Sequence, residues 1–284
     1  MDKVVILGAK GSVGGQLQKL YGSDALAWDK EQVDISDAAA LREKISASNP
    51  SAIINCAAYN DVDGAEEHRE AAFALNATAV KNLAQLAAEL KIPLLHFSTN
   101  YLFDGQAGEY AEDALPHPLS VYAQSKYQGE QELIARCPRH YLVRTAVVFG
   151  PPGQSAGSKP SFVQKMLTLA KSGAPVKAIN DVYNSLTYAV DLAAAVKLLL
   201  EERKPFGIYH IVNSGRASWY DLAKEIFAIK NLPINLQAVA AREFPRRAAV
   251  PQSAVLVNTK LPQLRPWQEA LREFLNNESG VPNP

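Results

Sequence analysis

The sequence predicts an α/β fold, a doubly wound parallel sheet followed by a smaller α/β lobe. Apolar runs of four to six residues alternate with helical stripes five times through the first half of the chain, the pattern of a sheet with helices on both faces. The first run leads straight into Gly8, Gly11 and Gly14 and then a helical stripe, the context that gives a glycine motif meaning. A Pro/Gly/Ser-rich stretch, Pro151–Pro160, then breaks the composition. The 284 residues allow one large or two unequal domains. The expected division is 1–150 for the nucleotide-binding domain, which also receives later segments such as 187–212, and 151–284 mainly for the second lobe.

Lys3–Leu7 is apolar on both faces, as a buried parallel strand must be. The spacing that follows is G-x-x-G-x-x-G, and Leu17 and Leu20 continue it as a helix. Glycines here let backbone amides approach a pyrophosphate at a helix N-terminus; the alternative is a turn needed only for tight helix–strand packing. On the first reading Gly8, Lys10, Gly11, Ser12, Val13 and Gly14 form the phosphate turn of NADH or NADPH. Ala25–Trp28 is a second strand, and Asp29 lies 21 residues after Gly8, where an acidic residue binds the adenosine ribose. A free 2′-hydroxyl suits Asp29, whereas Lys10 and Lys30 are close enough to neutralise a 2′-phosphate. Asp34 and Ile35 come next, Asp34 with reach to the adenine edge, and Asp37 is placed to cap a helix bearing Leu41 and Ile45.

Ala52–Asn55 is the third strand, and the small residues of Cys56-Ala57-Ala58-Tyr59 let a cofactor lie close to the backbone. A stripe of Leu75, Val80, Leu83, Leu86 and Leu90 predicts a helix over 71–90. Asn76 within it either braces the backbone of the site or faces solvent. Leu94–Ser98 is the fourth strand, and it delivers Ser98 and Thr99 beyond its carboxyl end. Pro118-Leu119-Ser120 marks a helix start, so Tyr122 and Lys126 share one face at i and i+4. An ammonium beside a phenol lowers its pKa. Such a phenol exchanges a proton with a carbonyl oxygen that Thr99 polarises. Alone, a Y-x-x-x-K spacing is more often a solvated tyrosine and a surface lysine; the glycine turn upstream gives it weight. Further strands are expected at 141–145, 147–150, 176–180 and 207–212, and helices at 161–172, 190–201, 218–230 and 266–276.

Hydrophobic residues make up 48% of the chain and charged residues 20%, with 29 basic balancing 29 acidic groups. That balance leaves no electrostatic footprint for nucleic acid or a membrane surface. Cys56 and Cys137 are the only cysteines, and Cys56, in an apolar run, is read as a buried thiol in a reducing compartment. With no signal peptide and no long apolar segment, a cytoplasmic location is expected.

Taken with those motifs, the segments Asn55-Cys-Ala-Ala-Tyr59, Ser98-Thr-Asn-Tyr-Leu-Phe-Asp-Gly105, Val121-Tyr-Ala-Gln-Ser-Lys126 with Gly129-Glu130, and Gly207-Ile-Tyr-His-Ile211 followed by Ser218-Trp219 carry a resemblance. The chain resembles the extended short-chain dehydrogenase/reductases and, more narrowly, the dTDP-4-dehydrorhamnose reductase family. The resemblance implies a Rossmann domain that binds NAD(P)H, a lobe that closes over a nucleotide-sugar substrate, and hydride delivery to its C4 ketone. It implies Thr99, Tyr122 and Lys126 as the catalytic set, with Tyr122 the proton donor and Lys126 on the nicotinamide ribose. The coenzyme is expected against Asp29, Asp34, Ile35, Ala57, Ala58, Tyr59, Asn76, Tyr122 and Lys126 as well as the glycine turn, and the sugar against Thr99, Asn100, Tyr101, Tyr122 and Val147.

Departures from the family pattern lie mostly on the substrate side. Asn100 replaces an aspartate and Val147 a tryptophan. Only the ends of a D-Q-x-G-x-P-T motif survive, at Asp181 and Thr187. The arginine expected before Pro251 is Val250, leaving Arg246 and Arg247 nearby to meet a diphosphate. A glutamate that some members use for magnesium at a dimer contact corresponds to Gln16, so no metal is carried over; a homodimer stays open. Two alternatives stand beside the reductase. One is a related reductase or epimerase of another nucleotide sugar. The other is a non-catalytic regulatory subunit, for which an intact Thr99/Tyr122/Lys126 set has no chemical use.

Overall fold

The computed structural model describes residues 3–155 and 160–277; residues 156–159 of the Pro151–Pro160 loop lie outside the described residues. Strands β1 (Val4–Leu7), β2 (Ala25–Trp28) and β3 (Ala52–Asn55) alternate with helices α1 (Ser12–Tyr21) and α2 (Ala38–Ser48). Two short helices, α3 (Gly64–Glu67) and α4 (Arg69–Phe73), lead through one π turn, Ala74–Thr78, into α5 (Ala79–Leu90). Then come β4 (Leu94–Thr99), β5 (Gly108–Tyr110), α6 (Val121–Arg136), β6 (His140–Thr145) and β7 (Val148–Phe149). The second half supplies α7 (Phe162–Ala170), β8 (Val176–Ile179), β9 (Tyr183–Ser185), β10 (Thr187–Tyr188), α8 (Ala189–Glu201) and β11 (Gly207–His210).

The main sheet has the order β11-β6-β4-β3-β1-β2, and every neighbouring pair is parallel. The period of two divides β1 between two cores. Val5 and Leu7 face Leu41, Ile45, Leu83 and Leu133 of α2, α5 and α6. Val4 and Ile6 face Leu17 of α1 and Leu192, Val196 and Leu199 of α8. Each such side chain, buried in full, contributes roughly 1.5–3 kcal/mol, which is why an apolar run reads as a central strand. Chain direction across the sheet reverses at β1, with β2 on one side and β3 on the other. A crevice therefore opens beyond the strand carboxyl ends.

The helix starts follow the sequence. Asp37 accepts from the amides of Ala39 and Ala40, and Ser120 from Ala123. Ser161 forms a reciprocal capping box with Gln164.

Past β11, the chain continues through β12 (Asn213–Ser214), β13 (Arg216–Ser218), α9 (Trp219–Ile229), β14 (Leu236–Val239), β15 (Ser253–Leu256), β16 (Leu264–Pro266) and α10 (Trp267–Asn277). A second sheet, β13-β9-β15-β5, joins segments from both halves of the sequence. Helices α7, α9 and α10 share a core of Met166, Leu222, Ile226, Leu271 and Phe274. Among the described residues no helix is long and apolar enough to cross a membrane.

Candidate active site

A cleft of about 980 Å³ runs along the carboxyl ends of β1, β2 and β3. Its floor is the glycine turn. Gly8 has φ +72°, and a Cβ there would stand 2.8 Å from the Ala57 amide nitrogen. A Cβ on Gly14 would stand 2.3 Å from the Gly8 carbonyl, so this glycine is required by helix–strand packing. Gly11 is different: its Cβ would meet only the Gly8 oxygen, at 3.2 Å. Helix α1 begins at Gly11 with no side chain capping it, so its first amides and dipole are offered to the cleft. That arrangement fits a dinucleotide pyrophosphate. Val13 packs instead into the core beneath.

Asp29 lines the cleft, and its carboxylate accepts from the amides of Lys10 at 2.9 Å and Lys30 at 2.8 Å. The Lys10 ammonium is paired with Glu31 at 2.9 Å. Asp34 and Ile35 line the same end of the cleft. Asp34 is held below the ordinary carboxylate range chiefly by the Ser36 hydroxyl and amide. Ala57, Ala58 and Tyr59 form the opposite wall. Asn76 is fully buried and braces that wall. Its Oδ1 accepts from the Tyr59 amide at 2.9 Å, while its Nδ2 donates to the Tyr59 carbonyl and the Ser125 hydroxyl, both at 3.0 Å. Asn76 also sits within the π turn, whose displaced carbonyl comes so close to α6 that a Cβ on Gly129 would stand 2.0 Å from it.

Leu75 and Cys56, together with the segment from Val148 to Gly153, also line the cleft. The sequence reading placed Cys56 along the cofactor but did not expect Leu75 or the Val148–Gly153 segment in this cleft. The signal was present in Gly150-Pro151-Pro152-Gly153, but such density reads equally as a domain break. The segment is pinned on the glycine turn by Ser12 Oγ donating to the Pro151 carbonyl at 2.8 Å and the Gln154 amide to the Lys10 carbonyl at 2.6 Å.

Strand β4 ends on Thr99, and α6 brings Tyr122 beside it. The Thr99 hydroxyl lies close enough to the phenol to pull its pKa down, and both side chains are almost wholly buried. Tyr101 meets the Tyr122 ring edge-on, at 6.3 Å between centroids. Lys126, one turn along α6, is also buried, but its Nζ points at the end of β4, donating to the Phe97 carbonyl at 2.6 Å and lying 3.4 Å from His96 Nε2. This corrects the expectation that the ammonium lowers the phenol's pKa. Burial pushes Tyr122 up to about 12, opposed by the nearby Thr99 hydroxyl. Burial also brings Lys126 down to about 8, against the pull of Glu130.

Two expected sugar contacts are otherwise engaged. Asn100 is buried, and its amide donates to Asn184 Oδ1 at 2.8 Å and the Ala254 carbonyl at 2.9 Å, so it ties the two sheets together. Val147 has φ +35°, a strained value for a β-branched residue, and its side chain packs on the second core. Arg246 lines the cleft, and its guanidinium is bound to Asp63 at 2.9 Å; Arg247 pairs with Glu67. Both charges offered for a diphosphate thus already have carboxylate partners.

The model of the RmlD substrate binding domain matches residues 2–279. The chain belongs to that family. It is 34% identical to a dTDP-4-dehydrorhamnose reductase of Aggregatibacter actinomycetemcomitans over 96% of this chain and 98% of the other. To the corresponding reductase of Mycobacterium tuberculosis it is 35% identical, over 96% and 92%. The crystal structure of dTDP-4-dehydrorhamnose reductase from Bacillus anthracis in complex with NADP superposes with a TM-score of 0.92 at 31% identity, covering 97% of this chain and 99% of that one. The expected α/β architecture and family are therefore those observed.

Proposed function

We propose that this protein is an NAD(P)H-dependent oxidoreductase that reduces the 4-keto group of a nucleotide-activated deoxysugar, with dTDP-4-dehydrorhamnose as the substrate. The observation that carries the reading is the juxtaposition of the buried Thr99 and Tyr122 at the end of β4, with Tyr122 clustered against Tyr59 of the wall of a cleft floored by the glycine turn. The relatives named for this reaction match over nearly the whole chain.

Gly8, Gly11 and the first amides of α1 hold the coenzyme pyrophosphate, and Asp29 meets the adenosine ribose. Ala57, Ala58 and Tyr59, braced by Asn76, form the wall along the coenzyme. The coenzyme supplies the hydride that reaches C4. Tyr122, kept protonated through neutral pH by its burial, hydrogen-bonds the ketone oxygen and gives it a proton as negative charge develops there. Thr99 donates a second hydrogen bond to that oxygen and fixes the phenol. Lys126 holds the nicotinamide ribose. Residues 1–150 with the returning segment 187–212 form the coenzyme domain, and most of 151–284 the lobe over the sugar.

Oxidation of NADH or NADPH on adding dTDP-4-keto-6-deoxyglucose together with its 3,5-epimerase tests the reading. Turnover that depends on both additions is the expected result. No turnover with either coenzyme would remove the assigned substrate.

A further inference from the structure

Beneath Lys126 lies a buried polar chain that neither the coenzyme nor the sugar reaches in the scheme above. It runs from the Ala57 amide through Asn55 and His96 to Lys126. Asn55 and His96 are each about 1% exposed, at the carboxyl end of β3 and in the middle of β4. The hydrogen-bond directions follow from one fixed point. The Ala57 N–H can only donate, and it meets Asn55 Oδ1 at 3.1 Å, so that atom is the amide oxygen. The other end of the amide, the Nδ2 donor, is therefore the atom 3.1 Å from His96 Nδ1. Nδ1 must accept. The one proton of a neutral imidazole then sits on Nε2, the atom 3.4 Å from Lys126 Nζ. A second ring proton would put two cations in contact inside the core, and burial with the lysine's charge holds His96 far below its ordinary range.

Two donors cannot share one hydrogen bond. If Nε2 carries a proton, the contact is favourable only when Nζ offers its lone pair, as a neutral amine does. The amine retains N–H bonds, and one of these reaches the Phe97 carbonyl at 2.6 Å. We propose that His96 is a positioning residue that acts through Lys126: with its tautomer fixed by Asn55, its Nε2–H faces Nζ, disfavours the ammonium and so lowers the pH at which Lys126 gives up its charge, while the Phe97 carbonyl holds the nitrogen at the end of β4. The imidazole touches no reacting atom and acts through the lysine alone.

Other groups around Lys126 are accounted for. Glu130, one turn further along α6, favours the charged lysine, but its carboxylate is held by Arg144 of β6 at 3.0 and 2.8 Å. Tyr122, one turn back on α6, is protonated through neutral pH. The π turn packed on α6 contributes Asn76, which donates to Ser125 and carries no charge. His96 of β4 is thus the titratable group facing Nζ that is not already committed to a counter-ion.

The inference rests on Lys126 being the catalytic lysine, yet its first tests need no substrate. Long-range ¹⁵N–¹H NMR of histidine-labelled protein without coenzyme, assigned with His96→Gln, should show Nε2 protonated and Nδ1 bare. Asn55→Asp offers Nδ1 an acceptor on that side and should move the proton to Nδ1. A ¹³Cε titration of lysine-labelled protein, assigned with Lys126→Arg, reads the amine directly. His96→Gln presents an amide oxygen to Nζ, which stabilises the ammonium, so the Lys126 midpoint should rise by about one pH unit or more. The alkaline limb of kcat/KM should rise with it. A bare Nε2 in the unmodified protein would overturn the proposal. So would a Lys126 midpoint unmoved in a folded His96→Gln variant. Should that variant not fold, the tautomer measurements decide on their own. If the assigned sugar is not a substrate, the NMR results still stand.

Discussion

Tyr122→Phe isolates the proton donor. The substitution removes one hydroxyl and leaves the ring, which packs with Ala65 and Ala72 and edge-on against Tyr101. The folded protein loses one buried hydroxyl and its interaction with the Thr99 side chain, a cost of about 1 kcal/mol. The melting temperature should therefore fall by only a few degrees, about 2–4 °C for a domain this large. The chemical step loses much more. A positioned acid contributes roughly 10²–10⁴-fold, equivalent to about 2.7–5.4 kcal/mol of barrier. The assay is the decline of reduced-nicotinamide absorbance under saturating sugar, beside coenzyme affinity measured by fluorescence. The expected outcome is kcat lowered by two to four decades with coenzyme affinity nearly unchanged, because in the proposed scheme the phenol faces the sugar. The pH profile adds a check with a definite sign. Reduction needs Tyr122 protonated, and with the phenol near 12 it stays so through the working range. An alkaline fall of kcat/KM beginning near pH 8 belongs to Lys126 losing its charge. It should persist in Tyr122→Phe and vanish in Lys126→Met. A kcat ratio near one for Tyr122→Phe would refute the assignment of the acid.

Gly11→Val should abolish coenzyme binding at little cost in thermal stability, since a Cβ there meets only the Gly8 oxygen. Gly14→Ala should instead lower the melting temperature, because its methyl would lie 2.3 Å from that same oxygen; paired calorimetry and titration separate the two. Gly129→Ala must part α6 from the π turn to relieve a 2.0 Å contact with backbone. It should cost about 1–3 kcal/mol or more in chemical denaturation and weaken coenzyme binding through Asn76. Asp29→Ala should raise the NADPH-to-NADH ratio of kcat/KM, as a carboxylate disfavours a 2′-phosphate; an unchanged ratio would place coenzyme choice with Lys10, Glu31 and Lys30.

How much of this the sequence disclosed depends on how far each determinant reaches along the chain. The glycine turn, Asp29 at the end of β2 and the Ser120 cap before Tyr122 act over a few residues or at a fixed spacing, so spacing alone exposed them. Lys126 was placed on the right face of α6, but its Nζ direction was not legible. That direction is set by the Phe97 carbonyl and His96, about thirty residues upstream in another strand. Asn100 shows the same limit more sharply. Beside Thr99 in a substrate-facing motif it looks like a sugar contact, until residues 84 and 154 positions away take both of its amide protons. The π turn has no pattern of its own in a leucine stripe; the evidence for it is Gly129, a glycine inside a different helix. Strands β5, β9 and β13 are three residues each and β15 four, too short for a period of two to register. The second sheet exists because those fragments pair across the whole sequence. The determinants of the glycine turn are therefore written locally, whereas the surroundings of Asn100 and of the second sheet are assembled from distant pieces. The same division separates Thr99, Tyr122 and Lys126 from Val147, Asn100 and Arg246. Their neighbours in space are not their neighbours in sequence, so a change at any of them alters the lobe without leaving a mark on the motif that holds the coenzyme.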